Sequence, residues 1–334
     1  MSSKRNVTSR EIAHLAGVSQ ATVSRSFNYP DKVSPETRKK IFGLANRLEY
    51  SPNVIAKSLV SSKTNIIGAV IEDFENPFYV SFVHRLAEKL ATYGKKILLF
   101  NPRGDEGIQK LLQEARGFRI DGLIVASATL SQQLTEREIP TSIPVVMINR
   151  QSASSHYCSV ASDDVSCGRA VADYLVGIKR FAQYVYVSGS IAKSSSIDRK
   201  KGYVERLKEW GISSPVVISG DFSYLSGFEA ANQLLKKELT LPLAVFVAND
   251  LMAMGFLDGI RKAGNFIIPQ DIAIIGADNI EQSSWVSYNL TTMQLPTAEM
   301  IDYAFQYLNS DESRREEMSG RHLFPCSLIV RGTV

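Results

Sequence analysis

Residues Ser9–Asn28 read SREIAHLAGVSQATVSRSFN, and two short helical patterns meet within them at Gly17. Ser9 is placed to cap the first helix, whose Ile12, Ala13 and Ala16 share one face. Gly17 suits the positive φ that ends such a helix. Ser19 is placed to cap the second, where Thr22, Val23 and Ser26 recur three to four residues apart. Small Ala13, Gly17 at the turn and apolar Val23 allow two helices to cross at close range, the helix-turn-helix spacing. The second helix also carries a small polar face of Gln20, Ala21, Ser24, Arg25 and Asn28. Short side chains permit close approach to DNA, and Arg25 is long enough to reach guanine acceptors in a major groove. Two ordinary core helices with one solvated side would show the same pattern, so the rest of the chain has to decide.

Charge supports a polyanion partner for this end of the chain. Of the 38 Lys/Arg and 34 Asp/Glu, residues 1–63 hold 11 and 4, which leaves 27 and 30 for the remainder. A head of net +7 thus precedes a body of net −3. The whole chain, at 334 residues, exceeds what one core usually organises. With 44% hydrophobic and 22% charged residues it has an ordinary globular composition. Cys158, Cys167 and Cys326 show no CxxC spacing and are odd in number, which fits free thiols in a reducing compartment. The four histidines are scattered with no HExxH, so a zinc site is not expected. The polar N-terminus lacks an apolar signal core and no run of ~18 apolar residues occurs, so a cytoplasmic protein without a membrane span is expected.

Ser34-Pro-Glu-Thr37 opens a third helix with Ile41, Leu44, Ala45 and Leu48 as its buried stripe, and Tyr50-Ser-Pro52 stops it. The segment Pro52–Leu59 can form one or two helical turns capped by Asn53, too short to stand alone. It reads either as a linker or as a hinge that folds on DNA and offers Leu59 to a minor groove. From Asn65 apolar runs alternate with amphipathic stretches. Strands are expected at Ile66–Ile71, Lys96–Phe100, Gly122–Ala126, Pro144–Ile148, Tyr157–Ala161, Gln183–Ser188, Pro215–Ser219, Leu243–Val247 and Ile272–Gly276. Helices are expected between them, one at Ser131–Glu138, and the tail adds a strand near Leu290–Gln294, helix Thr297–Leu308 and a strand near Ser327–Val330. Such βαβ repetition builds parallel sheets, here two doubly wound subdomains with a ligand at the carboxyl ends of the strands.

Head and body together resemble the LacI/GalR (lactose/galactose repressor) family of bacterial transcription regulators. The resemblance rests on Ala16-Gly17-Val18-Ser19, Ala21–Arg25, Asn28, Val33-Ser34, Thr37-Arg38, Tyr50–Asn53 and Ala56–Leu59 in the head. In the body it rests on Ile67-Gly68, Asn76–Tyr79, Asp121–Ile124, Gly202-Tyr203, Ala248–Asp250, Gly276–Asp278 and Leu290–Thr292. It implies an α/β chain with a small all-α helix-turn-helix head at 1–51 and a hinge helix with linker at 52–63. The remainder would be a periplasmic-binding-protein-like core, with an N-subdomain at 64–162 plus 292–323 and a C-subdomain at 163–291 plus 324–334. It further implies a homodimer that grips a near-palindromic operator in double-stranded DNA and a carbohydrate-type effector in the cleft between the subdomains, with no enzyme activity and no cofactor. A sugar-binding protein or an enzyme of carbohydrate metabolism that does not regulate DNA is the competing expectation, though no G-x-S-x-G, Walker loop or Cys/His couple stands out.

By the resemblance, Gln20, Ala21 and Arg25 read bases, and Ser19, Thr22, Ser24, Asn28, Ser34 and Thr37 lie near phosphates. Tyr50, Asn53, Ala56 and Leu59 fall at hinge contacts. Thr37 could equally serve a helix cap. In the core, the loops after the strands supply Phe78, Tyr79, Asn149, Arg150, Lys193, Ser195, Arg199, Phe222, Asn249 and Asp278 as effector candidates. Rings to stack on a sugar, with Asn, Asp and Arg for its hydroxyls, make a polyol site. Phe78 and Phe222 would read as well as core residues and Asp278 as a turn residue, while Asp163 and Asp164 read either as pocket-lining residues or as caps of the helix that follows, the cap being the expectation. Three cations, Arg150, Lys193 and Arg199, narrow the expectation toward a sugar acid or sugar phosphate. Two departures from the family stand out. Ala277 replaces a larger residue, which is expected to enlarge the pocket, and Ile178-Lys-Arg180 replaces a Gly-His pair. No heptad pattern follows Arg331, so a dimer is expected without a tetramerising coiled coil, its face near Phe78–Tyr93 and Gly107–Gly117.

Overall fold

The computed structural model describes residues 7–52, 63–71, 73–101, 107–126, 143–149, 157–179, 181–191, 193–212 and 215–334. The expected hinge at Asn53–Leu59, the expected helix at Ser131–Glu138 and Arg150 lie outside the described residues. The chain divides into two compact units, 1–64 and 65–334.

In the first unit, helices α1 (Ser9–Ala16), α2 (Gln20–Asn28) and α3 (Pro35–Arg47) enclose Ile12, Ala13, Ala16, Val23 and Ile41. Thr8, rather than Ser9, caps α1. Its hydroxyl accepts from the Glu11 amide, and the Glu11 carboxylate accepts from the Thr8 amide, a closed capping box. Ser9 falls one residue inside the helix. Gly17 takes φ 68° and ends α1, as its lack of Cβ allows. Ser19 and Ser34 cap α2 and α3, and Pro35 occupies the first helical position of α3. Phe27, Phe42 and Tyr50 close the lower side of this small core, with ring centroids 4.7 and 5.9 Å from Phe27.

The second unit contains two six-stranded sheets. The first half supplies β1 (Ile66–Ile71), α4 (Pro77–Thr92), β2 (Lys96–Phe100), α5 (Gly107–Gly117), β3 (Gly122–Ala126), β4 (Val145–Ile148) and β5 (Cys158–Ser162). The second half supplies α6 (Asp164–Ile178), β6 (Gln183–Ser188), α7 (Ser194–Glu209), β7 (Val216–Ser219), α8 (Tyr224–Leu235), β8 (Leu243–Val247), α9 (Asp250–Ala263) and β9 (Ile272–Asp278). The tail adds β10 (Thr291–Gln294), α10 (Thr297–Asn309), α11 (Glu312–Glu317), β11 (Gly320–Phe324) and β12 (Ser327–Ile329). One sheet runs β11-β5-β4-β3-β1-β2, all parallel; the other runs β12-β10-β9-β8-β6-β7, parallel except for β12. Strands such as β3 and β8 are buried along their whole length, as expected where helices cover both faces.

The chain passes between the sheets after β5, after β10 and after β11. The expected boundary at residue 292 therefore moves. Thr291–Gln294 pairs in register with Ile275–Asp278, and the Thr292 hydroxyl bonds buried Asp250, so the strand completes the second sheet before the chain leaves. Phe324 likewise pairs with Ser162 and belongs to the first sheet. Ala277, expected to enlarge the pocket, is fully buried in the core of the second sheet and does not line the cleft described below. Side chains alternate across a strand, and Ala277 points away from the face that Asp278 reaches. Nothing in the fold accounts for Ile178-Lys179, of which Lys179 donates to the Gln270 carbonyl at 3.2 Å. Among the described residues no helix is long and apolar enough to cross a membrane, and no cluster of three His, Cys, Asp or Glu could hold a metal.

Candidate functional site

In the first unit, α2 turns Val23 and Ser26 inward and leaves Gln20, Ala21, Ser24 and Arg25 exposed along one side. Ser19 Oγ accepts from the Thr22 amide at 3.1 Å, and Ser34 Oγ does the same for the Thr37 amide at 3.3 Å. The two serines are thus caps, and Thr37 is a partner of the cap, not a cap itself. Gln20 Nε2 donates to Ser9 Oγ at 2.8 Å, bridging α2 to the start of α1, and Asn28 Nδ2 donates to Ser24 Oγ at 3.3 Å. Tyr50 is half-buried against Phe27 and the core rather than presented to solvent. Helix α2 therefore offers a shallow polar ridge with one long cation, Arg25.

In the second unit a cavity opens where the carboxyl ends of the two parallel sheets face each other. It is lined by Asn76, Phe78, Tyr79, Asn149, Lys193, Ser195, Arg199, Phe222, Asp278 and Leu295. Eight of these are residues singled out from the loops after strands. Asn249 is not among them. Its side chain caps α9, accepting from the Met252 amide, and donates to the Phe222 carbonyl at 3.2 Å, so it holds the loop that carries Phe222.

Arg199 organises the floor. It is 3% exposed, and its Nε donates to Asp164 Oδ1 at 2.7 Å. Its Nη1 donates to the Ala248 carbonyl at 2.5 Å and to Asp278 Oδ1 at 3.4 Å. Local packing explains how an arginine comes to sit there. Gly168 on α6 and Gly202 on α7 let the two backbones touch; a Cβ on Gly202 would lie 2.0 Å from the Val165 carbonyl oxygen. The close crossing sets Asp164, at the start of α6, beside Arg199 on α7. Asp163, not Asp164, is the cap of α6. Burial pushes the Asp278 carboxyl up to about 7, with Arg199 pulling the other way.

Lys193 forms the opposite wall. Its Nζ lies 5.0 Å from the Phe222 ring centroid and 3.5 Å from Asp73 Oδ2, so the ion pair reaches from the first-sheet side to the second-sheet side. Asp73 also accepts from the Asn76 amide, and Asn76 caps α4 through the Phe78 amide. Phe78 and Tyr79 meet edge to face at 5.2 Å. Phe78 and Phe222 also belong to the two hydrophobic cores, so each ring packs in a core as well as lining the cleft. Asn149, Phe222 and Asp278 have φ of 53°, 79° and 115°, conformations that side-chain-bearing residues seldom adopt and that concentrate where a surface is shaped for a ligand. Strand-end reasoning missed Asn76, Leu295 and the charge partner Asp73, and it preferred a cap to a place at the pocket for Asp164. The Asp163-Asp164 pair was visible, but only the packing of α6 on α7 shows which of the two turns inward.

The free volume between these side chains is about 30 Å³, room for roughly one water. A cavity of about 410 Å³ lies elsewhere, lined by Lys89, Tyr93, Asp302, Phe305 and Arg314 among others. It sits at the C-terminal ends of α4 and α10, and so by the amino ends of the strands. Its cations are already paired, Lys89 with Asp302 at 2.7 Å and Arg314 with Glu317 at 2.5 Å. The smaller cleft, with convergent aromatic and polar groups, is the better binding site.

Two family models match the chain. Residues 8–53 match the bacterial regulatory proteins of the lacI family. Residues 64–319 match the periplasmic binding proteins and sugar binding domain of the LacI family. The catabolite control protein A of Priestia megaterium is 33% identical over 311 residues, covering 91% of this chain and 92% of that one. The ribose operon repressor of Escherichia coli K12 is 32% identical over 310 residues, covering 90% and 92%. The lac repressor dimer bound to operator and the anti-inducer ONPF superposes with a TM-score of 0.82 at 25% identity, over 98% of this chain and 99% of that one. The three-helix head, the two crossed-over parallel sheets and these matches along nearly the whole length place the chain in the LacI family of bacterial regulatory proteins.

Proposed function

We propose that the protein is a dimeric transcriptional repressor whose α2 helices read an operator and whose cleft takes a neutral sugar that alters DNA binding. In this reading Gln20, Ala21 and Arg25 contact bases, while Ser19, Thr22, Ser24, Asn28, Ser34 and Thr37 lie along the phosphates. Asn53, Ala56 and Leu59 are assigned to the hinge on sequence grounds alone. Tyr50 contributes by bracing the head. Exposed Val80 on α4 and Tyr93 at its C-terminal cap suit a dimer face there, which would set the spacing of the two heads.

The observation that carries the effector assignment is the Arg199 cluster. Its guanidinium is occupied by two carboxylates and a carbonyl, and Lys193 is occupied by Asp73. Among the described residues the cleft therefore holds no surplus cation for a carboxylate or phosphate. A ring stacked near Phe78, Tyr79 and Phe222, with hydroxyls exchanging hydrogen bonds with Asn149, Ser195, Arg199 and Asp278, uses what is there. Entry requires the Lys193–Asp73 contact to part, because the free volume is too small for a sugar ring. Parting that contact frees the two sheets to shift about their three crossovers.

The test is a titration of operator-bound protein, followed by fluorescence anisotropy, with neutral pentoses and hexoses beside aldonic acids and sugar phosphates. A neutral sugar that releases or tightens the complex, with Arg199→Ala losing the response, is the expected result. A response confined to acids or phosphates would reject the neutral-polyol reading, and absence of any DNA complex would reject the repressor reading.

A further inference from the structure

Two of the three cysteines stand together at a place the cleft chemistry does not use. Cys167 lies in the first turn of α6, 1% exposed, three residues beyond Asp164. Cys326 lies in the short segment by which the chain leaves β11 for β12, and it is only half-buried. Both pack in the second-sheet core, Cys167 as a fully buried member and Cys326 from its edge. Backbone hydrogen bonds bring their two segments together. The Asp163 amide donates to the Phe324 carbonyl at 2.8 Å, the Cys167 amide donates to the Asp163 carbonyl at 2.9 Å, and Phe324 is in register with Ser162. Cys326 packs against the cores of both sheets, so it marks the point where the last crossover passes between them. Cys158, the remaining thiol, is buried within β5.

We propose that Cys167 and Cys326 are a redox-responsive dithiol that a hydroperoxide converts to a disulfide, fastening the last crossover to α6. Solvent reaches Cys326 and not Cys167, which sets the order of events. The hydrogen bond with Cys326, together with burial, pushes the Cys167 thiol well above its ordinary value, so it is the later partner. The Cys326 sulfur attacks one peroxide oxygen, the O–O bond breaks, and the Cys326 thiol proton leaves with the other oxygen as an alcohol or water. The Cys167 sulfur then attacks the sulfenic sulfur, the S–S bond forms, and the sulfenic oxygen departs as water with the Cys167 proton. Two electrons pass from the thiols to the peroxide, and no further reductant or oxidant is needed. The cross-link spans residues 167 to 326, and tying so long a loop chiefly restrains the unfolded chain. In the folded protein it removes freedom at one of the three passages about which the sheets move. This site stands independently of what the cleft binds.

The experiment treats the full-length reduced protein with a modest excess of hydrogen peroxide, quenches it, and maps it by mass spectrometry without reduction. A peptide linking Cys167 to Cys326 is expected, reversible by dithiothreitol. The thermal midpoint is expected to rise by about 5 °C or more on oxidation. Cys326→Ser should show neither the link nor the shift, while its reduced midpoint should match that of the parent. Cys167→Ala should leave Cys326 as a sulfenic or sulfinic acid. The proposal is overturned if peroxide takes Cys326 of the parent protein to sulfinic acid without a link. It is equally overturned if the linked species contains Cys158 or two copies of Cys326, or if the link forms and the midpoint does not rise.

Discussion

Arg199 shows how one side chain gives a cleft its character. Its two carboxylate partners are largely buried as well, with side chains 7% and 8% exposed for Asp164 and Asp278. Removing the guanidinium strands both in a dry setting, so Arg199→Ala should cost about 3–5 kcal/mol of stability by urea titration and abolish sugar binding by calorimetry. Asp278 sets a pH dependence. Its carboxyl titrates at about 7 in the folded chain against ~3.9 unfolded. The folded state thus holds this proton longer. That contribution to stability is complete below ~4 and fades as pH rises through about 7. Measured from pH 5 to 8, the stability advantage of the parent over Asp278→Asn should shrink steadily with rising pH; a constant difference would contradict it. These residues were legible in sequence because each follows an apolar strand run and has the right chemistry. Asp73 was not, since its role depends on a partner more than a hundred residues away, and Asp164 was open between pocket and cap because a helix crossing decides it. The same limit produced the error at Ala277, which sits one residue from the cleft yet faces the opposite side of its strand.

At the scale of elements, the helix pair was legible down to its turn, and only the capping residue shifted from Ser9 to Thr8. Both can accept from a helix amide, and the reciprocal bond with Glu11, three residues on, selects Thr8. Thr8→Ala should therefore lower stability of the head by about 1 kcal/mol. On α2, Arg25→Ala should weaken operator binding by about 1–3 kcal/mol while leaving binding to random DNA nearly unchanged at the same salt. Equal losses on both would remove Arg25 from the base-reading set. On the core, Gly202→Ala would place a methyl 2.0 Å from a carbonyl oxygen of α6. The helices must separate, at a cost of about 1–3 kcal/mol, and sugar affinity should fall with it because Asp164 and Arg199 move apart. The need for glycine at that crossing could not be read from one sequence, where Gly202 looks like any helical glycine.

The whole molecule carries its positive charge at one end. Residues 1–63 hold net +7 and the rest −3, so DNA affinity should be steeply sensitive to salt. With about six phosphates neutralised, a fall of about 10³ in affinity is expected between 50 and 200 mM salt. A shallow dependence in anisotropy measurements would argue against a head that grips the backbone. The alternation of strands and helices made two parallel sheets legible, but the course of the chain between them was placed three residues early. A strand such as Thr291–Gln294 carries no mark of which sheet it will join; that is settled by pairing with Ile275–Asp278. The three passages also have a bearing on synthesis. The first sheet has five of its six strands once residue 162 has left the ribosome, but it must wait for α10 to cover it and for β11 at 320–324 to close its edge; the second has five by residue 294 and its sixth, β12, at 327–329. The half of the body made first thus waits longest for its last strand. During translation its open edge and uncovered face would be the surfaces that a chaperone meets.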